Sequence, residues 1–100
     1  MKRDPLETIR RLDPGFCDAI LRTAADTFED GALSAKVKYL IAMALDAAHG
    51  AAGGVTSLGR QAMEHGASRE EIMEALKVAS YVSGVGAVYT ASLALADALG

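Results

Sequence analysis

Lys36–Ser68, KVKYLIAMALDAAHGAAGGVTSLGRQAMEHGAS, is the stretch whose reading decides the fold. Val37, Leu40, Ile41, Ala44, Leu45 and Ala48 recur at intervals of three and four, the spacing of one helix face, and are read as the core stripe of a helix capped by Ser34. The small-residue cluster Gly50–Gly54 ends that helix. A second helix is expected from about Ala52 to Glu64, turning Val55, Leu58, Ala62 and Met63 inward. Gly66 closes it, and Ser68-Arg69-Glu70-Glu71 has the Ser/Glu spacing of a capping box opening another. Helices joined this tightly pack antiparallel.

The same punctuation runs outward in both directions. Asp4-Pro5-Leu6-Glu7 provides an N-cap, a proline at the first helical position and a Glu at the third, predicting a short helix to about Leu12. Asp13-Pro14 repeats the start, and Phe16, Ile20, Ala24 and Phe28 continue at helical spacing until Gly31. Downstream, Ile72, Leu76 and Ala79 form the inward face of a fifth helix, and a sixth is expected from near Val85 to Leu99. No segment alternates with period two, and Asp30-Gly31 reads as a helix end rather than a hairpin turn. The expectation is an all-α fold of about six helices in a single domain over residues 1–100.

Composition narrows the partners. Of 100 residues 51% are apolar, only 5% are aromatic, and a chain this short buries roughly two-thirds of its unfolded surface. So apolar a surface predicts a homo-oligomer. A net charge of -3 supplies no basic footprint for nucleic acid, and Lys2, Arg3, Arg10 and Arg11 are offset by Asp4, Glu7 and Asp13, which reads as a solvated end. The single cysteine, Cys17, allows no intrachain disulfide and no four-cysteine zinc site, and fits a reducing, cytoplasmic setting. MKRDPLETIRR lacks the apolar run of a signal peptide. Val78–Ala96 carries no charge over a length that spans a bilayer, but Ser80, Ser83, Thr90 and Ser92 interrupt it, and Gly84 and Gly86 are expected to split it into two helices. No membrane association is therefore expected.

The apolar helix, the small-residue turn and Gly66-Ala67-Ser68-Arg69-Glu70-Glu71-Ile72 follow one another in an order that resembles the carboxymuconolactone decarboxylase family, including its alkylhydroperoxidase D-like branch. The resemblance is strongest over 33–99, with Phe16–Gly31 matching the preceding helix. It implies a helical bundle completed by assembly into trimers or hexamers. That branch carries Cys-x-x-Cys-x-x-x-His at the turn and a Glu on the helix before it. These positions fall here on Ala51, Gly54, Leu58 and Tyr39. Dithiol chemistry, which needs a thiolate, a resolving thiol and a base, is thus excluded within the chain. The decarboxylase branch also relies on the His that Leu58 replaces, so its proton transfer does not carry over. No cofactor is implied.

Two readings remain, a remade site or a scaffold without catalysis. For a remade site the candidates are His49, Asp46 and Tyr39. His49, two residues before the first lost cysteine, is either a displaced acid–base group or a helix-terminal imidazole favoured by the dipole. Asp46, the sole charge between Lys38 and Arg60, either orients His49 or is a solvated carboxylate on the flank opposite the core stripe. Tyr39 is a poor base at neutral pH but a hydrogen-bond donor, or else an interface filler. Gly53, Gly54, Thr56, Ser57 and Arg60 are candidates for binding a small carboxylate- or carbonyl-bearing ligand at a helix N-terminus, although a tight turn needs glycine anyway. His65 reads as a helix-terminal cation, and two His with few nearby carboxylates make no metal site. Cys17 reads as a buried inert thiol, with a Cys17-dependent peroxidase as a third function, and Tyr81 and Tyr89 as packing residues.

Overall fold

The computed structural model describes residues 4–100, so the Lys2 and Arg3 part of the solvated-end reading lies outside the described residues. Seven helices and no strands occur among them: α1 (Glu7–Leu12), α2 (Pro14–Thr27), α3 (Ala35–Ala48), α4 (Ala52–Glu64), α5 (Arg69–Ser83), α6 (Gly86–Ala94) and α7 (Ala96–Leu99). The starts follow the local caps. Asp13 accepts from the Phe16 N–H, Ser34 from the Val37 N–H, and Ser68 and Glu71 exchange side chain and backbone bonds of 3.0 and 2.9 Å as a complete capping box. Gly84, at φ 94°, separates α5 from α6, and no helix of the described residues is long and apolar enough to cross a membrane.

Three boundaries differ from the sequence reading. α1 starts at Glu7, because the Asp4 carboxylate accepts the Leu6 N–H at 2.9 Å and pairs with Arg10 instead of capping a helix that begins at Pro5. α2 ends at Thr27 rather than Gly31. The residues beyond it are drawn to the next helix, where Asp30 caps the Ala35 N–H at 2.7 Å and Lys38 donates to the Glu29 carbonyl at 2.6 Å. The last helix breaks at Leu95, where the Thr56 hydroxyl takes the Ala94 carbonyl at 2.8 Å and Leu95 is buried against Gly59.

The core lies between α3, α4, α5 and α6, built on Met43, Ala47, Val55, Ala62, Ile72 and Leu95. Lys36 pairs with Glu71 at 2.8 Å and ties α3 to α5. The expected inward faces of α4 and α5 are the ones buried, but α3 is turned. Its buried residues are Ala35, Met43 and Ala47, with Tyr39, Leu40 and Ala44 packed beside them, whereas Ile41 and Leu45 are exposed. Between Tyr39 and Ala48 only Asp46 is charged, so α3 is apolar nearly all round and its spacing does not say which face turns inward. The stripe read as core lines an open groove of about 330 Å³ between α3 and α5, walled by Val37, Ile41, Leu45, Val78 and Val82.

α1 and α2 pack on each other and scarcely on the rest. Cys17 is fully buried on α2, but Phe16, read as core, is exposed, as is Ala24. The hairpin is moored at its far end, where the Phe28 ring stacks on Tyr39 with centroids 4.3 Å apart and planes 5° off parallel.

Candidate functional site

The α3–α4 turn is shaped by hydrogen bonds that reach backward. His49 is the C-cap of α3, Gly50 adopts φ 75°, and the Ala51 N–H reaches five residues back to the Asp46 carbonyl at 2.8 Å. This is the glycine-terminated helix end that wraps the chain over its own last turn. α4 then begins at Ala52 and runs back along α3.

That return path puts Gly54 directly under Asp46. A Cβ at position 54 would collide with the Asp46 Oδ2 and lie 2.7 Å from its Cγ, so the glycine provides the space in which the carboxylate sits. Asp46 is half-buried and joins neither of the ion pairs among the described residues, Arg10–Asp4 and Lys36–Glu71. It lies on the flank of α3 that faces α4, half open to solvent. Tyr39, Met43 and Asp46 follow one another at four and three residues, which places them on the side of α3 that meets α4.

The other candidates are dispersed. His49 is exposed and makes no ion pair with Asp46. Tyr39 lies seven residues before Asp46, about 10 Å along the helix axis. Its ring is held between Phe28 and His65, the latter at 4.9 Å and 36°. His65 Nδ1 lies 2.9 Å from the Gln61 carbonyl, closing α4 as a helix-end imidazole. The Thr56 hydroxyl is committed to the Ala94 carbonyl and, at 3.2 Å, to Ala52. Gly53 is open, Ser57 is exposed, and Arg60 is half-buried and outside both ion pairs. The structure thus brings Asp46, Gly54 and the head of α4 together and leaves Tyr39 in a separate aromatic stack. A negative charge already occupies the head of α4, which disfavours a ligand carboxylate seated on that helix end alone. Among the described residues no three His, Cys, Asp or Glu side chains come together as metal ligands. Cys17 lies on α2, away from this turn, and is fully enclosed. The contact between Asp46 and Gly54 was not anticipated from the sequence, although the spacing of Tyr39, Met43 and Asp46 carried the signal for it.

Comparison with known proteins agrees with this architecture. The model of the carboxymuconolactone decarboxylase family matches residues 14–98, which takes in α2 as well as the strongest stretch of resemblance. Among solved structures, the chain is similar to apo-lpg0406, a carboxymuconolactone decarboxylase family protein from Legionella pneumophila. The TM-score is 0.83 at 33% identity, covering 90% of this chain and 80% of the other. No curated protein sequence matches the chain significantly.

Proposed function

The chain belongs to the carboxymuconolactone decarboxylase family, and from that premise we propose that it acts through a carboxylate instead of a thiol, with Asp46 moving a proton on a small carbonyl-bearing molecule at the α3–α4 turn. The observation that carries this reading is the seat of Asp46, held in the space that Gly54 leaves open. Position 54 is where the redox branch of the family would carry its second cysteine; here the functional atom arrives from the neighbouring helix. Decarboxylation leaves an electron pair on carbon, which a neighbouring carbonyl delocalises and a proton then quenches. The Asp46 carboxylate takes a proton from solvent and passes it to that carbon, returning to its charged form, the part a positioned side chain plays in general acid–base catalysis. Arg60, outside both ion pairs of the described residues, is the charge available for a substrate carboxylate.

The eponymous substrate of the family, carboxymuconolactone, is the first probe. The wild-type protein is expected to release carbon dioxide from it, and Asp46→Asn to lower the rate by about 10²–10⁴-fold, the usual contribution of a general acid. Cys17→Ser should leave the rate unchanged. Turnover that survives Asp46→Asn would remove Asp46 from the mechanism. A second reading, an oligomeric binding or scaffold protein without turnover, is favoured by the exposure of His49 and the separation of Tyr39 from the turn. Substrate binding without any release of carbon dioxide would select it. The enclosed Cys17 gives no support to a peroxidase.

A further inference from the structure

Asp46 keeps its seat only while the head of α4 holds still, and the local sequence there does little to hold it. Ala51 stands at the N-cap with no side-chain bond to the helix, and Gly53 and Gly54 fill the first turn. Glycine is among the poorest helix formers, and a helix end without a cap frays. Yet the seat admits no Cβ at position 54, so a small shift of this turn toward α3 presses backbone onto the carboxylate. A shift away leaves the carboxylate free to wander.

One side chain on the opposite face supplies the missing restraint. Thr56 follows Gly54 by two residues, about 200° round the helix, and is turned toward the end of α6. Its hydroxyl lies 2.8 Å from the Ala94 carbonyl and 3.2 Å from the Ala52 carbonyl. One proton shared between these acceptors closes the first turn of α4 on itself and ties it to α6. Ala94 is the last residue of α6, where a helix leaves carbonyls without partners of its own, so a donor from outside is needed there. One turn further on, Gly59 lets Leu95 sit close to the α4 backbone, since a Cβ at that position would lie 2.6 Å from Leu95 Cδ2. The α6–α7 corner thus grips α4 from behind at two points, while Gly54 meets Asp46 in front. We propose that Thr56 is the positioning residue of the Asp46 site, its bond to Ala94 setting where Gly54 stands under the carboxylate. Its part in turnover rests on the proton-transfer reading of Asp46; its part in holding the seat does not. Without the hydroxyl, Asp46 spreads over several positions and faces the reacting carbon in only some of them. Charge recognition by Arg60 is unaffected, so kcat falls and KM stays. Misplacement of a reacting group on this scale costs roughly tenfold to a hundredfold in rate.

Thr56→Val keeps the shape of the side chain and removes the donor, and Thr56→Ser restores it. The first measurement needs no substrate. Asp46→Ala and Gly54→Ala form a double-mutant cycle in chemical denaturation whose coupling reports their contact. In the Thr56→Val background that coupling is expected to fall by at least half, and in the Thr56→Ser background to return. Glu71→Gln, which loosens the other end of α3, is expected to leave it intact. The second measurement is turnover of carboxymuconolactone, where Thr56→Val should lower kcat by roughly tenfold to a hundredfold at unchanged KM and Thr56→Ser should recover it. If Thr56→Val loses its helical circular dichroism, Thr56→Ala takes its place in both. A coupling that Thr56→Val leaves unaltered would overturn the proposal whatever the turnover. So would a rise in KM at constant kcat, which would put Thr56 in ligand binding. A wild type that releases no carbon dioxide, with the coupling still lost in Thr56→Val, would end the proton-transfer reading and leave Thr56 as the residue that holds the seat.

Discussion

At position 54 a methyl group has no room while Asp46 keeps its place. Glycine within a helix costs up to about 1 kcal/mol relative to alanine, so Gly54→Ala should stabilise the fold wherever nothing opposes it. In the wild-type background the carboxylate opposes it and must rotate away. In an Asp46→Ala background it does not. Chemical denaturation of the four proteins is therefore expected to give a coupling of at least about 0.5 kcal/mol, with Gly54→Ala the more favourable when Asp46 is absent. Additivity of the two substitutions would mean that the contact has no energetic weight. Gly50 has a different reason to be glycine, since its φ of 75° is strained for any other residue except, to a lesser degree, Asn or Asp.

Among the elements, the start of α5 concentrates the electrostatics. Glu71 caps Ser68 and pairs with Lys36, and its carboxyl is held below the usual range first by the Lys36 ammonium and then by the Ser68 N–H. A carboxyl whose folded pKa is depressed contributes stability above its unfolded value, near 4.5, and loses it as pH falls toward the folded one. The thermal midpoint of wild type should thus exceed that of Glu71→Gln at pH 7, and the gap should close as pH falls through 4.5 and below. A gap that stays constant down to pH 3 would show that the ion pair does not act on stability. Asp4, depressed first by the Leu6 N–H and then by Arg10, titrates in the same direction at the start of α1.

The whole molecule is larger in surface and radius than its mass requires, and its stability should accordingly depend on concentration. Association stabilises folded chains by mass action, so each tenfold dilution in the range where copies separate should lower the thermal midpoint by about 2–4 °C. A midpoint independent of concentration from micromolar to hundreds of micromolar would indicate a monomer whose apolar groove stays open.

Much of this architecture was legible along the chain, and the parts that were not share one cause. Ser34, Asp13 and the Ser68–Glu71 pair mark helix starts because a cap is a hydrogen bond between residues two or three apart, which the order of residues by itself determines. That the chain has a single cysteine, and so no Cys-x-x-Cys, is read from the order of residues in the same way. The family fold followed from the order of these signals. Tertiary structure alone decided which face of α3 is core, since a helix apolar nearly all round offers no contrast for burial to select until α4, α5 and α6 are packed against it. The same packing moved Asp46 over Gly54, carried Tyr39 into the stack with Phe28 and His65, and broke the last helix where Thr56 takes the Ala94 carbonyl. Each of these contacts joins residues that only the fold makes neighbours.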